Sequence, residues 1–178
     1  MPRYLPVQKD AATTAVKDSY EVIEKDFGGM IPNLFRTLAP SSTFLSAWLV
    51  TYRTLVGGEC ALHDRLRALL LLKVSKVNKD AYSVAHFTDL AKKNGITDDQ
   101  IKAIDTHDRS ELFTDDEKML MSYAELVAKD PSQITGDFFK FLKNHFTQQQ
   151  IIELTAMAAF ATALNRFAKA LDIEIDKR

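Results

Sequence analysis

The residues best suited to chemistry lie in the stretch NKDAYSVAHF, residues 78–87. If this stretch begins a helix, Asp80, Ser83 and Phe87 share one face at spacings of three and four residues. His86 follows Ser83 by three residues, so the hydroxyl and the imidazole could touch. Such a pair could move protons, although it lacks an evident orienting acid and an oxyanion site.

A purely structural interpretation of the same residues stays open. Asp80 could be the N-cap of the helix and accept a hydrogen bond from the backbone N–H of Ser83. His86 would then be a polar side chain in a contact between helices. Residue types alone favour this interpretation, and Tyr82 becomes an assisting group only if the stretch is catalytic.

The other histidines give weaker indications of a site. His63 precedes an apolar run and His145 precedes a helix cap. His107 could bind a cation together with Asp105 and Asp108, although the sequence favours a solvated loop. No two histidines have HxxxH spacing and no Gly-rich phosphate loop is present, so we expect neither a metal nor another cofactor.

Cys60 is the single cysteine of the chain, which excludes an internal disulfide and a Cys-based zinc cluster. It follows Gly57 and Gly58 near a helix start, with His63 three residues on, and thiols in such places can be reactive. Because no second cysteine could resolve an oxidised thiol, the sequence favours an incidental thiol.

The composition is that of one globular domain over residues 1–178, with residues 1–10 as an extended arm. Hydrophobic residues make up 46% of the chain and charged residues 26%, which suffices for a substantial core. A net charge of -1 suggests no nucleic-acid or anionic-membrane partner. No apolar run approaches the roughly 20 residues of a membrane span. The start has no secretory signal, so we expect a cytoplasmic protein.

An all-α fold of about eight helices is predicted, because Gly and Pro fall between periodic segments and no stretch alternates strictly. Three capping boxes mark helix starts: Thr97 with Gln100, Thr114 with Glu117, and Thr147 with Gln150. The other predicted helices lie within residues 11–25, 32–39, 43–56, 62–77 and 136–144, with Ser41 or Ser42 as the cap of the third. One more starts near Asn78 or Asp80 and runs to the KKNG stretch. The last helix, 148–171, is rich in Ala, which suits either a tightly packed core or a subunit interface.

Four blocks of the sequence have a recognisable order: FGGMIPNLFRTLAPSSTFLSAWLVTYRTLV, LHDRLRALLLLKVSKVNKDAYSVAHFTDLAKKNGITDDQIKAI, FTDDEKMLMSYAELVAKDPSQIT and ALNRFAKALDIEID. They resemble the carboxymuconolactone decarboxylase and alkylhydroperoxidase D (AhpD)-like superfamily, in particular its peroxidase-related branch. The resemblance implies an AhpD-like helical domain that assembles into homo-trimers or homo-hexamers. In the peroxidase members it also implies a CxxC dithiol at a helix start, with a His and a Glu as proton relay.

The chain departs from that redox pattern at every position. The two cysteine positions fall on Asp80 and Ser83, the His position on Phe87, and the Glu position on Ala68. Serine cannot form a disulfide and phenylalanine cannot carry a proton, so the dithiol mechanism does not transfer. Phe87 and Ala68 make the former relay path more apolar, and we expect them to form a pocket with Tyr82.

Three functions stay open at this point. The one we favour is a family member without peroxidase activity, which binds a small apolar or carboxylic ligand as an oligomer. The second is a non-redox enzyme of the decarboxylase or lactone type, in which Asp80, Ser83 and His86 supply the acid–base groups. The third is the antioxidant activity of the family, for which Cys60 is the only available thiol.

Overall fold

The amphipathic segments form nine α-helices in the residues that the computed structural model describes, 2–58 and 60–177. No β-strand occurs among these residues, and the predicted all-α fold is confirmed. The helices are α1 (Thr14–Asp26), α2 (Asn33–Leu38), α3 (Ser42–Leu55), α4 (Asp64–Val77), α5 (Ala81–Lys93), α6 (Asp98–Ala103), α7 (Asp115–Lys129), α8 (Gly136–His145) and α9 (Gln148–Leu171). Two 3₁₀ turns, Ile104–Arg109 and Pro131–Gln133, join some of them.

Helix α4 is the centre of the fold because its sequence is apolar on nearly every side. Its four consecutive leucines, residues 69–72, are all fully buried. It packs against α5, α7 and α9, while α1 and α2 pack against α3. The start of α5 is therefore fixed against the most buried helix of the protein, and side chains of α5 also bond to Tyr52 of α3 and to Leu34 of α2.

Local side-chain chemistry sets the helix starts where the capping boxes were predicted. The side chains of Thr97, Thr114 and Thr147 each accept a hydrogen bond from the backbone N–H of the N3 residue. The backbone N–H of each threonine donates in return to the side chain of that N3 residue, so all three predictions are confirmed. Ser41 stands at the N-cap position of α3, but it makes no side-chain cap hydrogen bond. The predicted serine cap of α3 is therefore wrong: the ψ of Ser41 is 87°, whereas the three capping threonines have ψ of 161–165°.

Helix α9 is more apolar over its length than expected from the sequence, in which no apolar run was predicted to reach the length of a membrane span. By length and composition alone it could cross a bilayer, a test that buried core helices also pass. Its inner face, with Leu154, Met157 and Ala161 fully buried, packs against α4 and α7. Its outer face leaves Ile152 61% exposed.

A buried ion pair joins α4 to α7. The ammonium group of Lys73 lies 2.5 Å from Oε2 of Glu125, and the Lys73 side chain is only 3% exposed. Glu125 also pairs with Lys129 on its own helix. Burial raises the pKa of Glu125, but the two ammonium groups outweigh burial and hold that pKa below its usual value.

Candidate functional site: a small cavity at the start of α5

Asp80 is the N-cap of α5. Its Oδ2 accepts a hydrogen bond from the backbone N–H of Ser83 at 3.1 Å, and the residue is 3% exposed. The preceding Lys79 has a φ of 53°, which turns the chain sharply between α4 and α5. The carboxylate is therefore engaged in holding the helix start, where the dipole also favours a negative charge.

A small cavity lies beside this helix start. Its wall is mainly aromatic, formed by Phe27, Phe35, Tyr52 and Phe87, and its polar groups include Ser83 and His86. The free volume for the centre of a water molecule is about 10 Å³, which is on the order of one water. The cavity is thus closed to anything larger unless a wall moves.

The imidazole of His86 is oriented by Tyr52 on α3. Its Nε2 lies 2.8 Å from the Tyr52 hydroxyl, and the ring packs edge-on against Phe87. Burial raises the pKa of Tyr52 well above its usual value, so its phenol stays protonated at neutral pH. Either the Tyr52 hydroxyl or Nε2 of His86 can be the donor of this hydrogen bond, depending on the tautomer of His86.

Tyr82 lines the cavity with its ring, while its hydroxyl takes part in the structure elsewhere. The hydroxyl accepts the backbone N–H of Leu34 at 3.2 Å and donates to Oδ2 of Asp176 at 3.0 Å. Burial, followed by the charge of Asp176, raises the pKa of Tyr82 well above its usual value. Tyr82 is therefore a linker between α5, α2 and the end of the chain.

The structure brings together part of the predicted site. Ser83, His86, Tyr82 and Phe87 line one cavity. Asp80 and Ala68 are buried but do not line it. Asp80 faces the backbone that it caps, and Ala68 lies within α4, so the predicted pocket is smaller than its sequence list.

The remaining walls were not predicted from the sequence. Phe27 follows α1, Phe35 lies on α2, Tyr52 on α3 and Leu164 on α9. They lie on four different segments, 8 to 112 residues apart between successive members, so no local pattern joins them. For Phe27, Phe35 and Tyr52 the available signal was an aromatic residue beside a turn or within a helix of the first sequence block, residues 27–56.

His107 corrects the prediction of a solvated loop. It lies in the 3₁₀ turn and is 4% exposed, with Nδ1 3.0 Å from the Ile104 carbonyl and Nε2 3.0 Å from the Ser122 hydroxyl. Burial and the charge of Lys73 lower the pKa of His107, which favours its neutral form. His107 is a buried structural residue.

Cation binding has no ready site among residues 2–58 and 60–177, which hold no cluster of three or more His, Cys, Asp or Glu side chains arranged for a metal. His63 stands exposed at the N-cap position of α4. His145 ends α8 and lies 2.5 Å from Asp116. Both histidines lie outside the cavity lining.

Cys60 is also outside the cavity lining. It is half-buried, and its Sγ lies 3.6 Å from Nη1 of Arg67, while the thiol points to the carbonyl of Leu62 at 3.8 Å. Arg67 is itself held by Asp64 at 2.6 Å. The thiol therefore belongs to the turn before α4 and cannot replace a dithiol at the start of α5.

Part of the chain, including α5 at the cavity, is similar to known proteins. The model of the "Carboxymuconolactone decarboxylase family" matches residues 44–126, which include α4 and α5. YnjA, an uncharacterized protein of Escherichia coli K12, is 31% identical over 84 residues, or 47% of this chain and 46% of that protein. The chain thus aligns with less than half the length of that relative.

Solved structures share nearly the whole fold. An uncharacterized peroxidase-related protein with the AhpD core, from Ralstonia eutropha JMP134, superposes with a TM-score of 0.86 at 20% identity, covering 99% of this chain and 93% of that one. The debrominase Bmp8, as a variant in complex with 2,3,4-tribromopyrrole, superposes with a TM-score of 0.83 at 19% identity, covering 96% and 90%. The fold is the AhpD-like fold. The family model matches residues 44–126 alone, and the single cysteine of the chain cannot supply a dithiol.

Proposed function

We propose that this protein is a non-redox member of the superfamily that binds a small aromatic molecule with one hydrogen-bonding group. The observation that carries the proposal is the cavity itself, whose lining is mainly aromatic and includes the polar side chains of Ser83 and His86. Apolar walls with a few convergent polar groups are the usual character of small-molecule sites. The ligand would take the place next to α5 where the family resemblance puts the dithiol.

The size of the cavity requires that a wall moves when a ligand enters. Phe27 is the wall residue next to a turn in which Gly28 and Gly29 have φ values of 63° and 91°. A Cβ at either glycine would meet no atom within 4 Å, so the turn itself is open to its surroundings. We propose that this turn and α2 form the movable side.

The proposal includes self-assembly. Apolar side chains on α3 and α9 stay exposed, with Phe44 at 49% and Val50 at 65%. Trp48 packs between Phe44 and α9, its ring 5.4 Å from Phe44, 5.6 Å from Phe160 and 5.2 Å from Phe167. A homo-oligomer could cover exposed apolar side chains of this kind.

Phenol is a suitable probe because it combines one aromatic ring with one hydroxyl. We expect phenol to shift the amide resonances of Ser83, His86 and Phe87 in a saturable titration followed by NMR. Ser83→Ala should weaken binding by roughly two- to tenfold, the contribution of one neutral hydrogen bond. Ser46→Ala, an exposed serine on α3, is the matched control and should bind as the wild type does.

A blocking variant makes the phenol experiment decisive. Leu164 on α9 lines the cavity, and Leu164→Phe should abolish the phenol-induced shifts by filling the space. If phenol shifts no resonance near the cavity, or shifts them equally in Leu164→Phe, the proposed site is wrong.

An enzyme of the decarboxylase or lactone type is the second candidate. The 2.8 Å contact between His86 and Tyr52 favours it, because an imidazole beside a protonated phenol can relay a proton to the cavity. Asp80 does not line the cavity, so this version relies on His86 and Ser83. Turnover of a lactone or keto acid that is lost in His86→Phe would favour this candidate over simple binding.

A further inference from the structure

The segment that follows α9 returns to the start of α2. We define the C-terminal tail as residues 172–177, which follow α9. Asp172 ends the helix in the left-handed conformation, and the backbone N–H of Ile173 bonds to the Ala168 carbonyl at 3.0 Å. Ile173 is buried, which anchors the tail before it crosses to the start of α2.

The tail caps α2 from a distance of more than 140 residues along the chain. Oδ1 of Asp176 accepts the backbone N–H of Asn33 at 2.6 Å, and the Asn33 side chain donates to the Glu174 carbonyl at 3.0 Å. Oδ2 of Asp176 accepts the hydroxyl of Tyr82, which in turn accepts the backbone N–H of Leu34. The first two N–H groups of α2 thus bond to the tail and to α5.

Helix α2 needs these contacts because it has no cap of its own. The residue at its N-cap position is Pro32, which makes no side-chain cap hydrogen bond. A helix of six residues is far too short to be stable by its own hydrogen bonds. Its position therefore depends on packing and on the groups that bond to its first turn.

Helix α2 is also one wall of the cavity. Pro32, Leu34 and Phe35 all line it. The Phe35 ring lies 5.7 Å from Phe27 and 5.5 Å from Tyr52, so a shift of α2 would open the aromatic wall. The tail holds the same helix that closes the site.

We propose that the C-terminal tail is a latch that holds α2 closed over the cavity, and that Asp176 controls entry of a ligand. The control of entry rests on the proposed binding function, whereas the latch itself can be tested without a ligand. Release of Asp176 frees the N-terminus of α2 and lets Leu34 and Phe35 move away from Ser83 and His86.

Hydrogen exchange in the ligand-free protein tests the latch. In Asp176→Ala, the amides of Asn33 and Leu34 should exchange roughly 10- to 100-fold faster, as expected when hydrogen bonds to a charged group are lost. Glu174→Ala removes the same charge from the exposed side chain of a tail residue but keeps the carbonyl that Asn33 uses, so exchange should not change. Tyr82→Phe keeps the ring and should accelerate Leu34 more than Asn33.

Amides in the middle of α4 serve as the reference for global unfolding. Asp176→Asn removes the charge of Asp176 without changing the size of the side chain. Acceleration confined to α2 supports the latch, and unchanged exchange of Asn33 and Leu34 in Asp176→Ala overturns it.

The rate of phenol association tests the control of entry. NMR line shapes should show association in Asp176→Ala that is about tenfold faster or more, with Glu174→Ala equal to the wild type. Faster exchange with an unchanged association rate would overturn the control of entry by Asp176. If neither protein binds phenol, the proposed function fails, while the exchange experiment still decides the latch.

Discussion

Replacement of Glu125 by leucine is expected to lower the free energy of unfolding by about 3–5 kcal/mol. The reason is the Lys73 ammonium group, which would remain buried at 3% exposure without the carboxylate that now lies 2.5 Å away. The second cation paired with this carboxylate, Lys129, would repel Lys73 and cannot replace the lost negative charge. Urea denaturation of the wild type and the variant measures the loss.

Two further variants separate the buried charge from general damage to α7. Lys73→Met combined with Glu125→Leu removes both charges and should recover most of the stability, because no charge is left without a partner. Lys129→Met breaks an exposed pair and should change stability by less than about 1 kcal/mol. If Glu125→Leu alone is as stable as the wild type, Lys73 is not held as a buried cation.

The second large effect concerns the helix start itself. Asp80→Cys combined with Ser83→Cys, in a Cys60→Ser background, should form an intramolecular disulfide. The two positions are the N-cap and the third residue of α5, and the Asp80 side chain already reaches to within 3.1 Å of the Ser83 nitrogen. A helix N-terminus stabilises a thiolate, which is the attacking species in disulfide exchange.

Oxidised glutathione supplies the oxidant in that experiment. The two cysteine thiols lose two hydrogens and one glutathione disulfide becomes two glutathione thiols, so thiol titration and mass spectrometry follow the reaction. Ser83→Cys alone, in the same background, is the matched control and should form only a mixed disulfide with glutathione. A folded double variant that keeps both thiols free would show that the helix start does not preserve the dithiol geometry.

Local chemistry explains what could be predicted from the sequence. The capping boxes at Thr97, Thr114 and Thr147 depend on residues three apart, and all three exist. The central place of α4 could be predicted because its four consecutive leucines, residues 69–72, point to every side of the helix. The same local reasoning offered the role of helix cap for Asp80 as the alternative to a catalytic role, and Asp80 is the N-cap of α5.

The cavity depends on contacts that no local pattern contains. Phe35 and Tyr52 approach His86 only after α2 and α3 pack against α5. Asp176 meets Asn33 across 143 residues of sequence. These distances are set by tertiary packing, and the sequence could supply only the residue types.

Polar residues in the interior were the other weak point. His107 looked solvated because its neighbours are charged, yet the 3₁₀ turn points it at Ile104 and Ser122. The pairing of Lys73 with Glu125 likewise depends on how α4 meets α7. A polar side chain can be buried where a hydrogen-bonding or charged partner is available, and that partner is rarely near in sequence.

We propose that the site at the start of α5 performs no thiol redox chemistry. The most direct test is hydroperoxide consumption by the purified protein with a dithiol reductant and cumene hydroperoxide. Because Asp80 and Ser83 occupy the helix start and Cys60 lies outside the cavity, we predict the rate of the reductant alone, in the wild type and in Cys60→Ser. Saturable consumption of the hydroperoxide that depends on the protein would contradict the account.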